Sequence, residues 1–335
     1  MTRKNRQILL AETPMGKLKE SDFKTIDSEV GDPGDGEVLC RNVLLSIDPA
    51  NRAWMRGPTY RPQVKAGDVM AGYSLMEVIA GDNIAAGTIV MGEGGWQEYA
   101  LLKANQVQQI PIIGDLTHHV SVLGITGLTA YFGLLKIGQP KSGETVVVSA
   151  AAGATGNVVG QIAKIKGCRV VGIAGSDEKN AMLEKDLGFD ATVNYKNPSF
   201  AGDLKAACPD GIDVYFDNVG GQVFNAALPF MNQHGRIVCC GAVSQYDTTS
   251  IEPGSPLIPA VFVVNRLSMQ GFIVMDYIGE WMQGGQELAG WVASGEIKVL
   301  QDVVEGLDSA PKALIGLLAG DNIGKRLVRI GPDPA

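Results

Sequence analysis

VVVSAAAGATGNVVGQIAKIKG, residues 146–167, reads as a β-branched strand, a glycine-rich turn and a helix in immediate succession. Gly153, Gly156 and Gly160 fall on the turn and the start of the helix. Glycine there lets backbone N–H groups approach a pyrophosphate, and the helix N-terminus adds partial positive charge. Three spaced glycines also fit an ordinary tight turn. Here they follow a strand, open a helix and lie in a βαβ unit of about thirty residues, which is the context a dinucleotide site requires.

The rhythm continues downstream. CRVVGIAG (168–175), ATVNYK (191–196), IDVYFDNVG (212–220), RIVCCGAVS (236–244) and LSMQGFIV (267–274) read as strands. EKNAMLEKDLG (178–188), FAGDLKAACPDG (200–211) and QVFNAALPFMNQHG (222–235) read as helices. With TVVVSAA (145–151) this gives strands alternating with helices, an α/β pattern that implies a doubly wound parallel sheet with right-handed crossovers. Upstream, HVSVLGITGLTAYFGLLKIG (119–138) has apolar residues at helical spacing and ends at Gly138.

Before that helix the chain is strand-rich, with EVLCRNVLLSID (37–48), VMAGYSLMEVIA (69–80), GTIVMG (87–92) and WQEYALLK (96–103) bounded by Gly, Pro and Asp. No long helical period interrupts them, so a β-rich domain of barrel type is expected. GEIKVL (295–300), the helical SAPKALIGLLAGD (309–321) and a last strand GKRLVRI (324–330) leave the alternating rhythm and are read as returning to that first domain. The expected divisions are 1–126 for the first part of the β-rich domain, 127–295 for the nucleotide-binding domain and 296–335 for the return.

A chain of 335 residues suffices for two domains, and 45% hydrophobic residues supply their cores. The net charge of -8 comes without any block of Lys/Arg that reads as a nucleic-acid or lipid patch, so neither partner is expected. MTRKNRQILLAETP (1–14) begins with basic residues, but its apolar run is too short for a signal peptide, and no stretch approaches a membrane span. Cys40, Cys168, Cys208, Cys239 and Cys240 are odd in number and lack framework spacing, which points to reduced thiols and a cytoplasmic setting. Cys239 and Cys240 lie within GRIVCCGAV (235–243), read as a buried strand.

Two further features narrow the chemistry. The second strand of the nucleotide-binding unit ends Gly172-Ile173-Ala174-Gly175-Ser176, with no acid for a ribose 2′-hydroxyl and with Lys179 one helical turn on. That suits a 2′-phosphate and hence NADP; the competing reading places Asp177 on the ribose and leaves Lys179 to solvent. Catalytic zinc needs three protein ligands. The histidines are only His118, His119 and His234, the first domain's early strands hold one cysteine, Cys40, and no four-Cys cluster exists. No metal is expected; His118 and His119 read as surface or capping residues before the apolar helix, and His234 as part of the turn before the GRIVCC strand.

The chain resembles the zinc-independent medium-chain dehydrogenase/reductases known as prostaglandin reductases, plant double-bond reductases and bacterial curcumin reductases. The resemblance spans nearly the whole chain. It is carried by LLSIDPANRAWM (44–55), by residues 124–179 around the glycine motif, and by YFDNVGG (215–221), GRIVCCGAVSQY (235–246), RLSMQGFIV (266–274) and DNIGK (321–325). It implies a GroES-like β-rich catalytic domain beside a Rossmann domain, NADPH in the cleft, and hydride delivery to the β-carbon of an α,β-unsaturated ketone or aldehyde. It further implies Gly153, Ala154, Thr155 and Gly156 on the pyrophosphate, and Ser176, Lys179 and Tyr195 around the 2′-phosphate. Asn218, Cys240, Gly241 and Ala242 would line the cofactor, Phe272, Ile273 and Val274 would lie near the nicotinamide, and Asn322 would reach it from the C-terminal segment. One departure stands out: many relatives have Tyr after the Asp-Pro pair, where this chain has Ala50.

Conjugate reduction asks the protein to orient a substrate and to stabilise an enolate oxygen. A phenol can do this, being protonated at neutral pH. Tyr60 in GPTYRP and Tyr246 in SQYDT are the candidate catalytic residues, with water or a cofactor hydroxyl as the alternative donor. Arg52 and Arg56, after the Asp48-Pro49 turn, suit either an anionic substrate group or structural ion pairs. Two other functions stay open on this scaffold: a quinone reductase, and a non-catalytic NADPH-binding protein. Residues 267–274 read as the last, apolar edge strand of the open sheet, which predicts a homodimer.

Overall fold

The computed structural model describes residues 2–250, 254–255 and 258–334. Its strands in chain order are β1 (Arg3–Leu10), β2 (Phe23–Val30), β3 (Glu37–Ser46), β4 (Ser74–Gly81), β5 (Ile89–Gly92), β6 (Tyr99–Lys103), β7 (Gln108–Gln109), β8 (Thr145–Ser149), β9 (Arg169–Ala174), β10 (Ala191–Asn194), β11 (Ile212–Asp217), β12 (Met231–Cys239), β13 (Ser268–Gly271), β14 (Gln301–Glu305) and β15 (Lys325–Arg329). They form two compact units, Met1–Val120 with Gln301–Ala335, and Ser121–Leu300.

In the second unit the order is β10-β9-β8-β11-β12-β13, with every pair parallel. This is the doubly wound Rossmann order, with its reversal between β8 and β11. A parallel sheet is covered on both faces, so its strands are apolar throughout rather than alternating. Val146 and Val148 of β8 pack into one core with Val170, Val214 and Phe216, while Val147 packs into the opposite core with Val171, Tyr215 and Ile237. The period of two thus sorts one apolar run onto two cores. Val146, Val147 and Val148 are fully buried, each contributing about 1.5–3 kcal/mol.

In the first unit, β14-β15-β3-β4-β5-β7 form one sheet with β6 on β3, beside a β1-β2 hairpin. All these pairs are antiparallel except β14 with β15. This is the GroES-like, β-rich half.

Several local readings change in the structure. The β-rich unit holds helices at Pro49–Arg56, Leu116–His119 and Ala310–Ala319; the first is started by Pro at its first turn and by Asp48, whose N–H is taken by the Asn51 side chain at 2.8 Å. Directly after residues 295–300 comes a strand that the sequence reading left out, β14, with the adjacent Val303 and Val304 flanked by Gln301, Asp302 and Glu305. The helix read over 222–235 stops at Ala227, because Pro229 interrupts it, and β12 begins at Met231. His234 therefore lies inside β12, in an irregular stretch where the register on β11 slips, with φ of 61°. β12 ends at Cys239, so Cys240 is outside the strand, and both cysteines are only half-buried. β13 ends at Gly271, leaving Phe272–Val274 outside the sheet. His119 is buried, its Nε2 accepting the Ile113 N–H at 3.0 Å, so it is no surface residue. Burial of the ring is the larger effect and lowers its pKa.

Candidate functional site

Strand β8 ends at Ser149, and the chain turns through Ala150 with φ of 49° before the helix Ala154–Ile165. A left-handed alanine carries strain that persists where the surroundings hold it. Here the Ala151 N–H donates to Ile173 O at 3.0 Å and the Gly153 N–H to Ala150 O at 2.9 Å. The helix needs glycine at two places for packing alone. A Cβ on Gly156 would lie 2.4 Å from Ala150 O, and one on Gly160 would lie 2.0 Å from the Phe189 ring.

Gly153 is the N-cap and offers no side-chain acceptor. The orphan N–H groups of the first turn are thus left to an external acceptor, and the helix dipole favours an anion there. Asn157 Nδ2, bonded to Gly153 O at 2.6 Å, stiffens this turn. A pyrophosphate fits it.

Beyond β9, Ser176 caps the helix Asp177–Leu187, its Oγ accepting the Lys179 N–H at 3.3 Å. Lys179 is half-buried. The Tyr195 ring, just past β10, lies against Gly175. Ser176 and Lys179, which follow β9, and Tyr195 therefore share the ends of two neighbouring strands. Lys196 adds a cation that the sequence reading missed, its Nζ 5.9 Å from the centre of the Tyr195 ring. The Asp177 carboxylate accepts from Asn194 Nδ2 at 2.9 Å, so it already has a protein partner.

At the switch point, Asn218 donates its N–H to Ser149 Oγ at 2.8 Å and its Nδ2 to Ser149 O at 2.7 Å. Asn218 O accepts the Val243 N–H at 3.2 Å, and the Ala242 N–H donates to the Tyr246 hydroxyl at 3.1 Å. Asn218, Cys240, Gly241, Ala242 and Tyr246 are thereby gathered at the ends of β11 and β12. Burial, and then the nearby Asp217 charge, push the Cys240 thiol up to about 12; Cys239 is pushed up to about 11 in the same way. Both are neutral thiols at physiological pH, not nucleophiles. The Phe272 ring packs on Gly133, Ile273 is partly exposed and Val274 is buried in the core.

In the first unit, Tyr60 is 57% exposed and meets Trp54 edge-on at 6.3 Å, while Arg61 lies over the Trp54 ring at 4.6 Å and pairs with Glu93 at 3.0 Å. Arg52 is buried and donates to Gly16 O at 2.7 Å, which makes it structural; Arg56 is exposed. Ala50 sits in the first turn of its helix, half-buried against the core. Asn322 is buried, its Nδ2 donating to Gly324 O at 2.7 Å. Lys325 is buried too, its Nζ donating to Ile47 O at 2.8 Å and to Asp48 at 2.6 Å. Desolvation lowers its pKa against the pull of Asp48.

Two family profiles match the chain: "N-terminal domain of oxidoreductase" over residues 6–110 and "Zinc-binding dehydrogenase" over residues 154–290. The NADPH-dependent curcumin reductase of Escherichia coli (strain K12) is 42% identical over 98% of each chain. Prostaglandin reductase 1 of Bos taurus is 43% identical over 94% of this chain and 96% of its own. The chain belongs to the zinc-independent medium-chain double-bond reductases. A crystal structure of CurA from Vibrio vulnificus in complex with NADPH superposes on this medium-chain reductase with a TM-score of 0.93 and 40% identity, over 98% of this chain and 100% of that one.

Zinc does not fit this reductase, despite the description of the second profile. Among the described residues no group of three or more His, Cys, Asp or Glu side chains is placed to hold a metal ion. The Nε2 of His119 is taken by a backbone N–H, and burial pushes the Cys40 thiol up to about 12, far from the thiolate a zinc ligand needs.

Proposed function

We propose that the chain is an NADPH-dependent reductase of carbon–carbon double bonds conjugated to a carbonyl, acting on enones or enals. The observation that carries the reading is the uncapped N-terminus of the helix Ala154–Ile165 at the switch point of a parallel sheet. The relatives named for curcumin and prostaglandin reduction supply the substrate class. NADPH, when bound, supplies a hydride to the substrate β-carbon. The α-carbon takes a proton from solvent, so the double bond is saturated and NADP⁺ is left.

The chain's own residues bind and orient. The N–H groups of Ala154, Thr155 and Gly156 face the pyrophosphate, and Gly153, whose own N–H is held by Ala150 O, lies against it. Ser176, Lys179 and Tyr195 surround the 2′-phosphate, with Lys196 adding positive charge. Asn218, Cys240, Gly241 and Ala242, with Phe272, Ile273 and Val274, hold the nicotinamide half; Asn322 is assigned to the cofactor on the family resemblance alone. The partnered Asp177 favours NADP over NAD, because its carboxylate is engaged by Asn194. Tyr60 or Tyr246 donates a hydroxyl proton in hydrogen bonding to the carbonyl oxygen as the enolate forms. Tyr246 already accepts the Ala242 N–H, which leaves its own O–H to donate.

The residues 127–295 then constitute the NADP-binding domain, and 1–126 with 296–335 the catalytic one. We also infer a homodimer. β13 is an exposed sheet edge, and Met269, Val263 and Val264 beside it are 48%, 75% and 65% exposed. A cytoplasmic setting is supported by five free cysteines, and among the described residues no helix is long and apolar enough to cross a membrane.

The test is NADPH oxidation over a panel of enones, enals and quinones, with sedimentation at micromolar concentration. Turnover with quinones alone, or stoichiometric NADPH binding with no turnover, would replace the enone reading. A monomeric mass would remove the dimer.

A further inference from the structure

We propose that Asp217, which the cofactor assignments above omit, is the positioning residue of the nicotinamide half of the cradle, tying the ends of β8, β11 and β12 into one unit. The inference rests on the NADPH reading. Asp217 is 4% exposed. Its Oδ1 accepts from the Ser149 hydroxyl at 3.0 Å, the Tyr215 hydroxyl at 3.2 Å, the Val219 N–H at 3.0 Å and the Gly220 N–H at 3.0 Å. Its backbone carbonyl accepts the Cys240 N–H at 2.9 Å and the Gly241 N–H at 3.1 Å. One residue therefore holds the end of β8 through Ser149, its own loop through two amides, and the segment after β12 through two more.

The consequence for ligand binding runs through Ser149. That hydroxyl donates to Asp217 and accepts the Asn218 N–H, while the Ser149 carbonyl takes Asn218 Nδ2. With its amide nitrogen engaged, Asn218 has its Oδ1 left for a ligand, an acceptor suited to a ribose hydroxyl or a carboxamide N–H. Four donors converging on one oxygen call for a carboxylate, since an amide oxygen is a weaker acceptor and would bring an NH₂ group of its own. Gly220 and Gly221, at φ of 68° and 57°, let the loop turn its N–H groups back onto that carboxylate.

A residue that only supports the fold would weaken everything alike. A positioning residue affects the nicotinamide half and spares the 2′-phosphate half at the ends of β9 and β10. The test uses the full chain as wild type, Asp217→Ala and Asp217→Asn, with three readouts: single-turnover reduction at saturating NADPH, NADPH affinity, and affinity for 2′,5′-ADP, which probes the 2′-phosphate half alone. Misplacement of reacting groups by a fraction of an ångström to an ångström costs up to about a hundredfold. Asp217→Ala is expected to lose about tenfold or more in single-turnover rate and to bind NADPH more weakly, with 2′,5′-ADP affinity within about twofold of wild type. Asp217→Asn, which keeps one acceptor oxygen, is expected to lose less. If Asp217→Ala does not fold, Ser149→Ala, which removes one donor to Asp217 and the partner of the Asn218 N–H, is expected to show the same split at about threefold to tenfold. Rates within twofold of wild type overturn the proposal, and so does a 2′,5′-ADP affinity that falls in step with the rate. A wild-type chain that binds NADPH but reduces no enone removes the reaction proposed above and not the role of Asp217, which NADPH affinity then decides by the same split.

Discussion

Replacing Gly156 by Ala tests whether the nucleotide cradle depends on how tightly the helix is set on the strand end. The added Cβ would lie 2.4 Å from Ala150 O and 2.9 Å from Ala151 Cα, both backbone atoms that no side-chain rotation can move away. The contact must open by roughly 1–1.6 Å to reach an ordinary separation, so either the helix start or the turn at Ala150 shifts. Ala150 is already in a left-handed conformation and has little room to yield. Overpacking of this kind costs about 1–3 kcal/mol. For a unit of this size it lowers Tm by roughly 2–12 °C. The helix amides move with the shift, and one charge-assisted hydrogen bond lost to the pyrophosphate is about 1.5–3 kcal/mol, or about tenfold to a hundredfold in NADPH affinity. Gly153→Ala is the control. Its Cβ would meet only Ala150 O, at 3.1 Å, and its φ of -80° suits alanine, so its Tm should change little. Calorimetry and NADPH titration of both variants decide the matter. A Gly156→Ala protein as stable and as tight-binding as wild type would refute the reasoning, as would a Gly153→Ala protein equally damaged in Tm.

Three further outcomes are expected. Lys179→Ala should weaken NADPH binding about tenfold to a hundredfold and leave NADH nearly unchanged; equal losses for both would reject the 2′-phosphate assignment. Tyr60→Phe and Tyr246→Phe, singly and together, should reveal the hydroxyl donor as a fall in single-turnover rate of up to about a hundredfold, less in a solvent-open site; rates within twofold in all three proteins would pass the role to water or a cofactor hydroxyl. Tyr246→Phe should also loosen the loop slightly, because the Ala242 N–H loses its acceptor. Glu144 is half-buried, and burial works against its charge, but the Arg236 guanidinium and the Lys141 N–H outweigh it and lower its pKa below 4.5. The unfolded state then binds the proton more readily, so the pair stabilises the fold above about pH 4.5 and loses that contribution as pH falls through the lowered folded value. Urea unfolding of wild type and Glu144→Gln should differ at pH 7 and converge as the carboxylate is protonated in acid; a difference independent of pH would discount the ion pair.

The amino-acid sequence by itself determined the architecture of the second unit. TVVVS, RVVGIA and IDVYFD are β-branched runs bounded by glycine, and the intervening helices carry their own start and stop signals at Ser176 and Gly188. These are local signals, readable from neighbours within one or two turns, and so was the glycine turn at 153–156. The family motifs made the cofactor class legible for the same reason, since each is contiguous. Where punctuation was weak, the sequence misled. The helix read over 222–235 stops at Ala227, and β14 was not read at all, since a strand exists only where a partner accepts its hydrogen bonds.

Tertiary structure alone decided which polar residues are spent internally. Ser149 and Asp217 are 68 positions apart, and Lys325 and Asp48 are 277 apart, so no spacing rule foreshadows either pair. Arg52 and Arg56 look alike in sequence and share a helix face, yet the fold buries the first on backbone carbonyls and leaves the second exposed. Asp177 and Lys179 were competing readings for the ribose, and only the fold shows that Asn194 lies against the aspartate. Apolar periodicity chooses elements because burial is non-directional and summed over many residues. A polar site is chosen by a few directional hydrogen bonds between strand ends, and those ends meet only when the chain has folded.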